Sequence, residues 1–254
     1  MVGGGFIGME VAASLRQLGL AVTLIHLGRG LFDQFRSREL SDELAALNRE
    51  HGVELLLQQE VAGFGSDGQQ RLTYVETKSG LCVEAELAVV GVGVIPNVGF
   101  LANSGLALDN GVLVNQRFET QAPGVFAPAT CPTSSTRSTA ASGGSSTGRM
   151  RTTGDRGRKV LAGSGAGYDT VSFFSEAFGT TVKVFGDVSR FDELTTEGSL
   201  MSGTLLSSDG DGGRLGGALT VGASEELEVV LKDLIAEHAP MDALERELVG
   251  ERSR

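Results

Sequence analysis

Cysteine, histidine and positive charge are all scarce in this chain, and each shortage removes a class of chemistry. Its two cysteines, Cys82 and Cys131, lie far apart with no C-x-x-C spacing, so the sequence encodes neither a redox dithiol nor a zinc site. Cys82 reads as an unpaired thiol buried in a core. Of the three histidines, His51 and His238 have no Ser, Cys or carboxylate constellation readable around them, which leaves core-edge or surface roles. A formal net charge of -11 argues against nucleic acid or an anionic membrane as the main partner, because phosphate binding needs clustered Lys and Arg. No apolar run reaches the length of a membrane span and no basic-apolar leader opens the chain, so a cytoplasmic protein is expected. At 254 residues and 41% hydrophobic content there is material for a sizeable core and for two domains.

What is present begins at once, with Gly3-Gly4-Gly5-Phe6-Ile7-Gly8 preceded only by Met1 and Val2. The spacing of Gly3, Gly5 and Gly8 is what a dinucleotide site needs between a strand and a helix. The first glycine allows the tight turn, the second lets backbone approach a pyrophosphate, and the third lets the helix pack on the strand. Apolar Ile7, Val11, Leu15 and Leu18 predict a helix over 8–18 whose N-terminus would hold the anion. Ala21 to Ile25 reads as the next parallel strand, with His26 at its end. The strand ahead of Gly3, normally central in such a sheet, is expected to be absent or stunted. In a chain with 37 glycines the spacing alone is weak, and the turn-helix-Gly-strand context carries it.

Further along, residues 1–127 alternate helical and strand patterns. Ser37 to His51 predicts a helix with Leu40, Leu44 and Leu47 on one face and Gly52 as a left-handed cap. Val53 to Leu57 reads as a strand, Leu72 to Thr77 and Leu81 to Ala85 as paired strands around Lys78-Ser79-Gly80, and Leu87 to Val92 as a buried strand. Such alternation points to a doubly wound α/β domain. Residues 128–158 break the pattern, since a segment with thirteen Ser or Thr and no Leu, Ile, Val or Phe cannot bury a core. It reads as irregular. From Lys159 onward, Thr181 to Phe185 and Leu215 to Val221 predict strands. Ser224 to Glu237 predicts a helix capped by Ser224, with Glu225, Glu226 and Glu228 as a solvated, dipole-favoured first turn. A small α+β domain fits this last part.

Four segments in order resemble the FAD-dependent pyridine nucleotide-disulfide oxidoreductases, in the branch of ferredoxin reductases, monodehydroascorbate reductase and apoptosis-inducing-factor-like proteins. Gly3 to Glu10 resembles the glycine motif that binds NAD(P)H. Gly91-Val92-Gly93-Val94-Ile95-Pro96-Asn97 is similar to the G-x-G-x-x-P-N stretch leading out of the NAD(P) domain. Thr120 to Phe126 is similar to T-x-x-P-G-V-[FY] on the return into the FAD domain, and Phe173-Phe174-Ser175-Glu176 with Phe178 to the C-terminal motif whose aromatic faces the flavin. The resemblance implies a Rossmann-like NAD(P)-binding domain over 1–98, an FAD-domain remnant over 99–127, an irregular segment over 128–158 and a C-terminal reductase domain of the dimerisation type over 159–254. It also implies NAD(P)H and FAD as cofactors, an electron acceptor that the sequence does not name, and a homodimer as an open option.

Two departures from the family carry expectations of their own. The family has a flavin-binding segment before the glycine motif, so an internal or miscalled start at Met1 is expected. Where the family has Ala-Gly-Asp, this chain has Pro128-Ala129-Thr130. Codons permitted by Pro128 to Thr139, read two bases later, encode Gly-Asp-Val-Pro-Asn-Phe-Phe-Asp-Pro-Leu-Tyr, so an out-of-frame insert is expected over 128–158, with a genuine flexible Ser/Thr linker as the alternative.

The residues expected at the cofactors are Gly3, Gly4, Gly5, Phe6, Ile7, Gly8, Glu10, His26, Arg29, Gly91, Val92, Gly93 and Phe174. In the resemblance, Glu10 reaches toward the nicotinamide. His26 stands where an acid would take the ribose 2′-hydroxyl, and with Arg29 it leans to a 2′-phosphate and NADP(H). No catalytic acid or base and no metal ligand is expected. The function implied is an FAD-dependent NAD(P)H oxidoreductase of which this chain is expected to be an inactive fragment, with a non-enzymatic NAD(P)-binding or dimerisation fragment as the alternative. His238-Ala239-Pro240 is not the disulfide reductases' catalytic His-Pro, and no Tyr-Lys or His-Asp set of a flavin-free dehydrogenase is read after the glycine motif.

Overall fold

A computed structural model of the chain describes residues 1–115, 118–127, 132–134, 172–186, 194–197, 204–209, 213–244 and 246. Two compact units form, Met1–Gly93 with Ser175–Thr180, and Val94–Phe174 with Thr181–Arg254.

In the first unit, helix α1 (Phe6–Gln17) leads to strand β1 (Val22–His26), helix α2 (Arg38–Glu50) and strand β2 (Val53–Leu57). β1 and β2 run parallel with Val22 opposite Val53 and His26 opposite Leu57, the pairing a helical crossover permits. α2 forms where the sequence places it. The Ser37 hydroxyl accepts a hydrogen bond from the Leu40 N–H at 3.1 Å, and Gly52 takes the left-handed conformation, φ +78°, that ends the helix. Leu40 and Leu44 are fully buried, each contributing about 1.5–3 kcal/mol of apolar burial.

On the far side of β1 the chain's first three residues run as a short strand. Val2 bridges in parallel to Ile25 on one side and Val90 on the other. Gly3 N–H donates to Ile25 O (2.8 Å), Val2 N–H to Val89 O (2.9 Å) and Gly91 N–H to Val2 O (2.8 Å). The spatial order is therefore β2, β1, Met1–Gly3, Val89–Gly91.

Between β2 and Val89 lies an antiparallel three-stranded sheet of β3 (Val61–Ser66), β4 (Leu72–Thr77) and β5 (Cys82–Glu84), with β4 in the middle. β4 and β5 are the expected pair. β3 is an addition to the sequence reading, its strand signal diluted by two glycines in VAGFGS. Two expectations fail here. Cys82 is exposed, because β5 is an edge strand and Cys82 faces outward on it. The 87–92 run is not a buried strand either: Leu87, Val90 and Val92 are 60%, 54% and 70% exposed, since only the bridge to Val2 ties the run to the sheet.

In the second unit, β6 (Leu108–Asp109) and β7 (Gly111–Val114) form an antiparallel pair, and β8 (Pro132–Ser134) joins β7 in parallel. β8 covers three residues of the 128–158 segment. The rest of that segment, with its expected change of frame, lies outside the described residues. At the C-terminus, β9 (Ser172–Ala177), β10 (Thr180–Gly186), β11 (Leu194–Glu197), β12 (Thr204–Asp209) and β13 (Leu215–Val221) make a five-stranded sheet in the order β11-β12-β13-β10-β9. Helix α3 (Glu225–Ala236) follows, capped by the Ser224 hydroxyl, which accepts from Leu227 N–H at 3.2 Å. The core there combines Phe185 of β10, Leu215 and Ala218 of β13, Leu231 and Ile235 of α3, and Leu244. Glu228 departs from the solvated reading of its acidic run: it is buried and ion-paired with Lys183 of β10.

Candidate nucleotide-binding site

The three spaced glycines are constrained by different neighbours. Gly3 has φ +105°, a conformation side chains rarely adopt, and a Cβ there would run into the Gly91 carbonyl. At Gly8 a Cβ would overlap the carbonyl of Gly3, so this glycine lets α1 start hard against the central strand. Gly5 is otherwise: nothing lies within 4 Å of a Cβ built on it, and its φ of -90° suits any residue. The fold explains Gly3 and Gly8 and leaves Gly5 unexplained.

Gly5 is also the N-cap of α1, and no side chain caps that helix, whereas serines cap α2 and α3. An α-helix presents unpaired N–H groups and partial positive charge at its start. Here the Cβ side of Gly5, at that start, is open. A close-lying anionic group such as a pyrophosphate fits this cradle.

The wall beside the loop comes from the segment after β1. His26 is 16% exposed and packs on Gly4, whose N–H donates to His26 Nδ1 at 3.1 Å. A backbone N–H can only donate, so Nδ1 is the bare nitrogen and Nε2 carries the proton of the neutral ring. Nε2 is buried with no hydrogen-bond partner, and the closest carboxylate oxygen, Asp33 Oδ1, stands 3.6 Å away. Asp33 begins a 3-10 turn, Asp33–Phe35, flanked by Phe32 and Arg36 in the left-handed region at φ 55° and 54°. That strain is held by burial: the Phe32 ring lies 4.3 Å from Phe6 and 5.8 Å from Phe35, and Phe32 N–H donates to Gly4 O at 3.2 Å. From the other side, Ser41 of α2 donates its hydroxyl to Leu31 O at 2.6 Å.

The structure thus brings Gly3, Gly4, Gly5, Gly8, His26 and Gly91 together around one loop. Phe6 belongs to the aromatic packing under it, Ile7 is half-buried beside Gly91, and Glu10 is half-buried one turn further along α1. Arg29, Val92 and Gly93 are exposed, the last with φ +122°, and Phe174 is exposed on β9. Sequence reasoning misses Asp33 and Phe32. Their signal is the glycine-spaced stretch His26-x-Gly28-x-Gly30 running into paired phenylalanines: a Cβ at Gly28 would strike both His26 and Asp33. Tyr74 and Lys78 do have the Tyr-x-x-x-Lys spacing, a correction to the reading that finds no such set. Tyr74 lies within strand β4 and Lys78 just beyond its end, where Lys78 pairs with Glu60 at 2.5 Å, so no helical i, i+4 couple forms. Among the described residues no group of His, Cys, Asp or Glu could hold a metal ion, and no helix is long and apolar enough to cross a membrane.

This architecture, a glycine turn between a central parallel strand and an uncapped helix, defines a Rossmann-like nucleotide-binding unit. The chain belongs to the pyridine nucleotide-disulphide oxidoreductase family, whose profile matches residues 1–144. It is 33% identical over 132 residues to putidaredoxin reductase CamA of Pseudomonas putida, covering 52% of this chain and 31% of that protein. It is 39% identical over 127 residues to the ferredoxin--NAD(+) reductase subunit of the benzene 1,2-dioxygenase system of Pseudomonas putida, covering 50% of this chain and 30% of that one. The chain therefore spans about a third of the length of these curated relatives. Among solved structures, the ferredoxin reductase for the CYP199A2 system from Rhodopseudomonas palustris superposes with a TM-score of 0.73 at 27% identity, over 87% of this chain and 55% of that one. The covalent putidaredoxin reductase-putidaredoxin complex gives a TM-score of 0.78 over 94% of this chain and 58% of that one, and at 24% identity it speaks for the fold alone.

Proposed function

We propose that the chain binds NAD(P)H on the Gly3–Gly8 loop and serves an FAD-dependent NAD(P)H oxidoreductase. When bound, the nicotinamide supplies hydride and the flavin passes electrons to an acceptor. The observation that carries this reading is Gly5, open on its Cβ side at a helix start that no side chain caps.

In this reading the residues of the chain bind and orient. The first-turn N–H groups of α1 face the pyrophosphate, Gly5 lets it approach the backbone, and Gly3 and Gly8 fix the turn. By resemblance Glu10 belongs to the nicotinamide side and Phe174 to the flavin side, and Gly91, Val92 and Gly93 border the cofactor where the chain leaves the NAD(P) domain. For the flavin the fit is thinner. Thr130 stands where the family has its aspartate, and a threonine lacks the carboxylate of that flavin contact. A redox protein is the favoured acceptor, because the relatives named above are ferredoxin reductases; the homodimer and a cytoplasmic location complete the reading. The domain division at 98, 127 and 158 is part of it too.

The test is calorimetric titration of NADH and NADPH into the full chain, its Gly5→Ala variant and its Gly5→Asp variant. Gly5→Asp is expected to weaken binding by about tenfold or more, because it sets a carboxylate against the pyrophosphate at the helix start. Both variants should stay within about 1 kcal/mol of the parent in stability, the range of an N-cap change. Unchanged affinity in Gly5→Asp overturns the site.

A further inference from the structure

Resting on the nucleotide reading, we infer that Asp33 and His26 together make the site select a dinucleotide with a free ribose 2′-hydroxyl, that is NADH, over its 2′-phosphorylated counterpart. This reverses the lean to NADP(H) that His26 and Arg29 give in the sequence. The strand-end position that faces the adenosine ribose in this architecture carries His26 here. The strand end itself supplies no acid, but the 3-10 turn returns one to the same place: Asp33 Oδ1 is 3.6 Å from His26 Nε2.

The hydrogen-bond inventory decides which ribose fits. Gly4 N–H occupies Nδ1, so Nε2–H is a donor, buried and unpartnered. Asp33 is an acceptor, and its side chain is 44% exposed. The gap of 3.6 Å is too long for a hydrogen bond and too short to admit an atom. A rotamer adjustment of the half-exposed carboxylate by about 1–2 Å opens room for one oxygen. A hydroxyl suits that slot, since it accepts from Nε2–H and donates to Asp33. A 2′-phosphate, mostly dianionic at neutral pH, has no proton to donate, and its charge would face the carboxylate across a few ångströms of partly excluded water.

Arg29 does not offset that repulsion. It is exposed, three residues beyond His26, and no hydrogen bond or ion pair among the described residues ties it to His26 or to the glycine loop. Phe32 and Phe35, packed against Phe6, hold Asp33 where it is, and Gly28 leaves the space the pair needs.

Affinities of NADH and NADPH for the full chain, and for Asp33→Asn, His26→Phe and Arg29→Ala, test the inference. NADH should bind about tenfold or more tightly than NADPH in the parent, and Asp33→Asn should shrink that ratio at least about threefold by removing the repulsion. His26→Phe should weaken NADH more than NADPH, and Arg29→Ala should leave the preference for NADH standing. Equal or tighter NADPH binding in the parent overturns the selection, as does an Asp33→Asn ratio matching the parent's in a protein of unchanged melting temperature. If Asp33→Asn does not fold, the His26→Phe ratio decides. Binding of both nucleotides without discrimination refutes only this inference, whereas binding of neither refutes the nucleotide site itself.

Discussion

At the scale of single residues, the glycines give the sharpest contrast. Gly8→Ala pushes a methyl into the Gly3 carbonyl, so it should destabilise the first unit by about 1–3 kcal/mol, read as a lower denaturation midpoint. Gly5→Ala, three residues away, meets only open space and should leave that midpoint nearly unchanged while weakening the nucleotide. The same spacing motif thus divides into two glycines that the fold explains and one that it leaves to the proposed ligand. The sequence shows the spacing but not the division, because what a Cβ would meet depends on Gly91, which arrives from the other end of the unit. Asp33 escapes the sequence for a similar reason: its place beside His26 follows from Phe32 adopting φ 55°, a choice made by packing against Phe6 rather than by local preference.

Among elements, the β3–β4 turn carries a pH signal. Asp67 accepts hydrogen bonds from the backbone N–H of Gln69 (2.8 Å) and Arg71 (3.0 Å) and pairs with the Arg71 guanidinium. The backbone donor of Arg71 leads in holding its carboxyl below the usual carboxylate range, followed by that of Gln69. A depressed carboxyl contributes stability that is complete above its unfolded pKa and fades as pH falls through the folded one. The amide shifts of Gln69 and Arg71 should therefore titrate below the ordinary aspartate range, and Asp67→Asn should abolish that titration; a midpoint at or above the ordinary value would contradict the turn's geometry. In α3, Glu228→Ala should cost about 1–3 kcal/mol, because it strands a partly buried Lys183 without its partner. Helices with serine caps and leucine stripes are legible in the sequence because their signals are local. Glu228 is misread because its acidic run gives no sign of a lysine on a strand well upstream. β3, β11 and β12 go unseen since Gly, Ser and Thr dilute their alternation, and the 87–92 run misleads because apolarity without partners looks the same as burial.

For the molecule as a whole, two compact units predict two unfolding transitions, with nucleotide acting on the one containing Gly3–Gly8. In scanning calorimetry, ligand at about a hundred times its Kd should stabilise that transition by about 2.7 kcal/mol and leave the other in place. A single transition shifting as one would argue against separate units. The parallel sheet of the first unit adds a consequence for the order of folding. Val2 finds Ile25 after one helix, a short loop to close, but it finds Val90 only after two helices and five strands have intervened. Pairing of that kind raises contact order and slows folding. During synthesis the glycine turn emerges well before Gly91 and waits for its second wall, since Gly91 N–H must reach Val2 O before Gly3 is flanked on both sides. The proposed nucleotide loop is thus flanked on both sides only once Gly91 has closed on Val2, and a ligand that needs the finished loop should speed no refolding step before that closure.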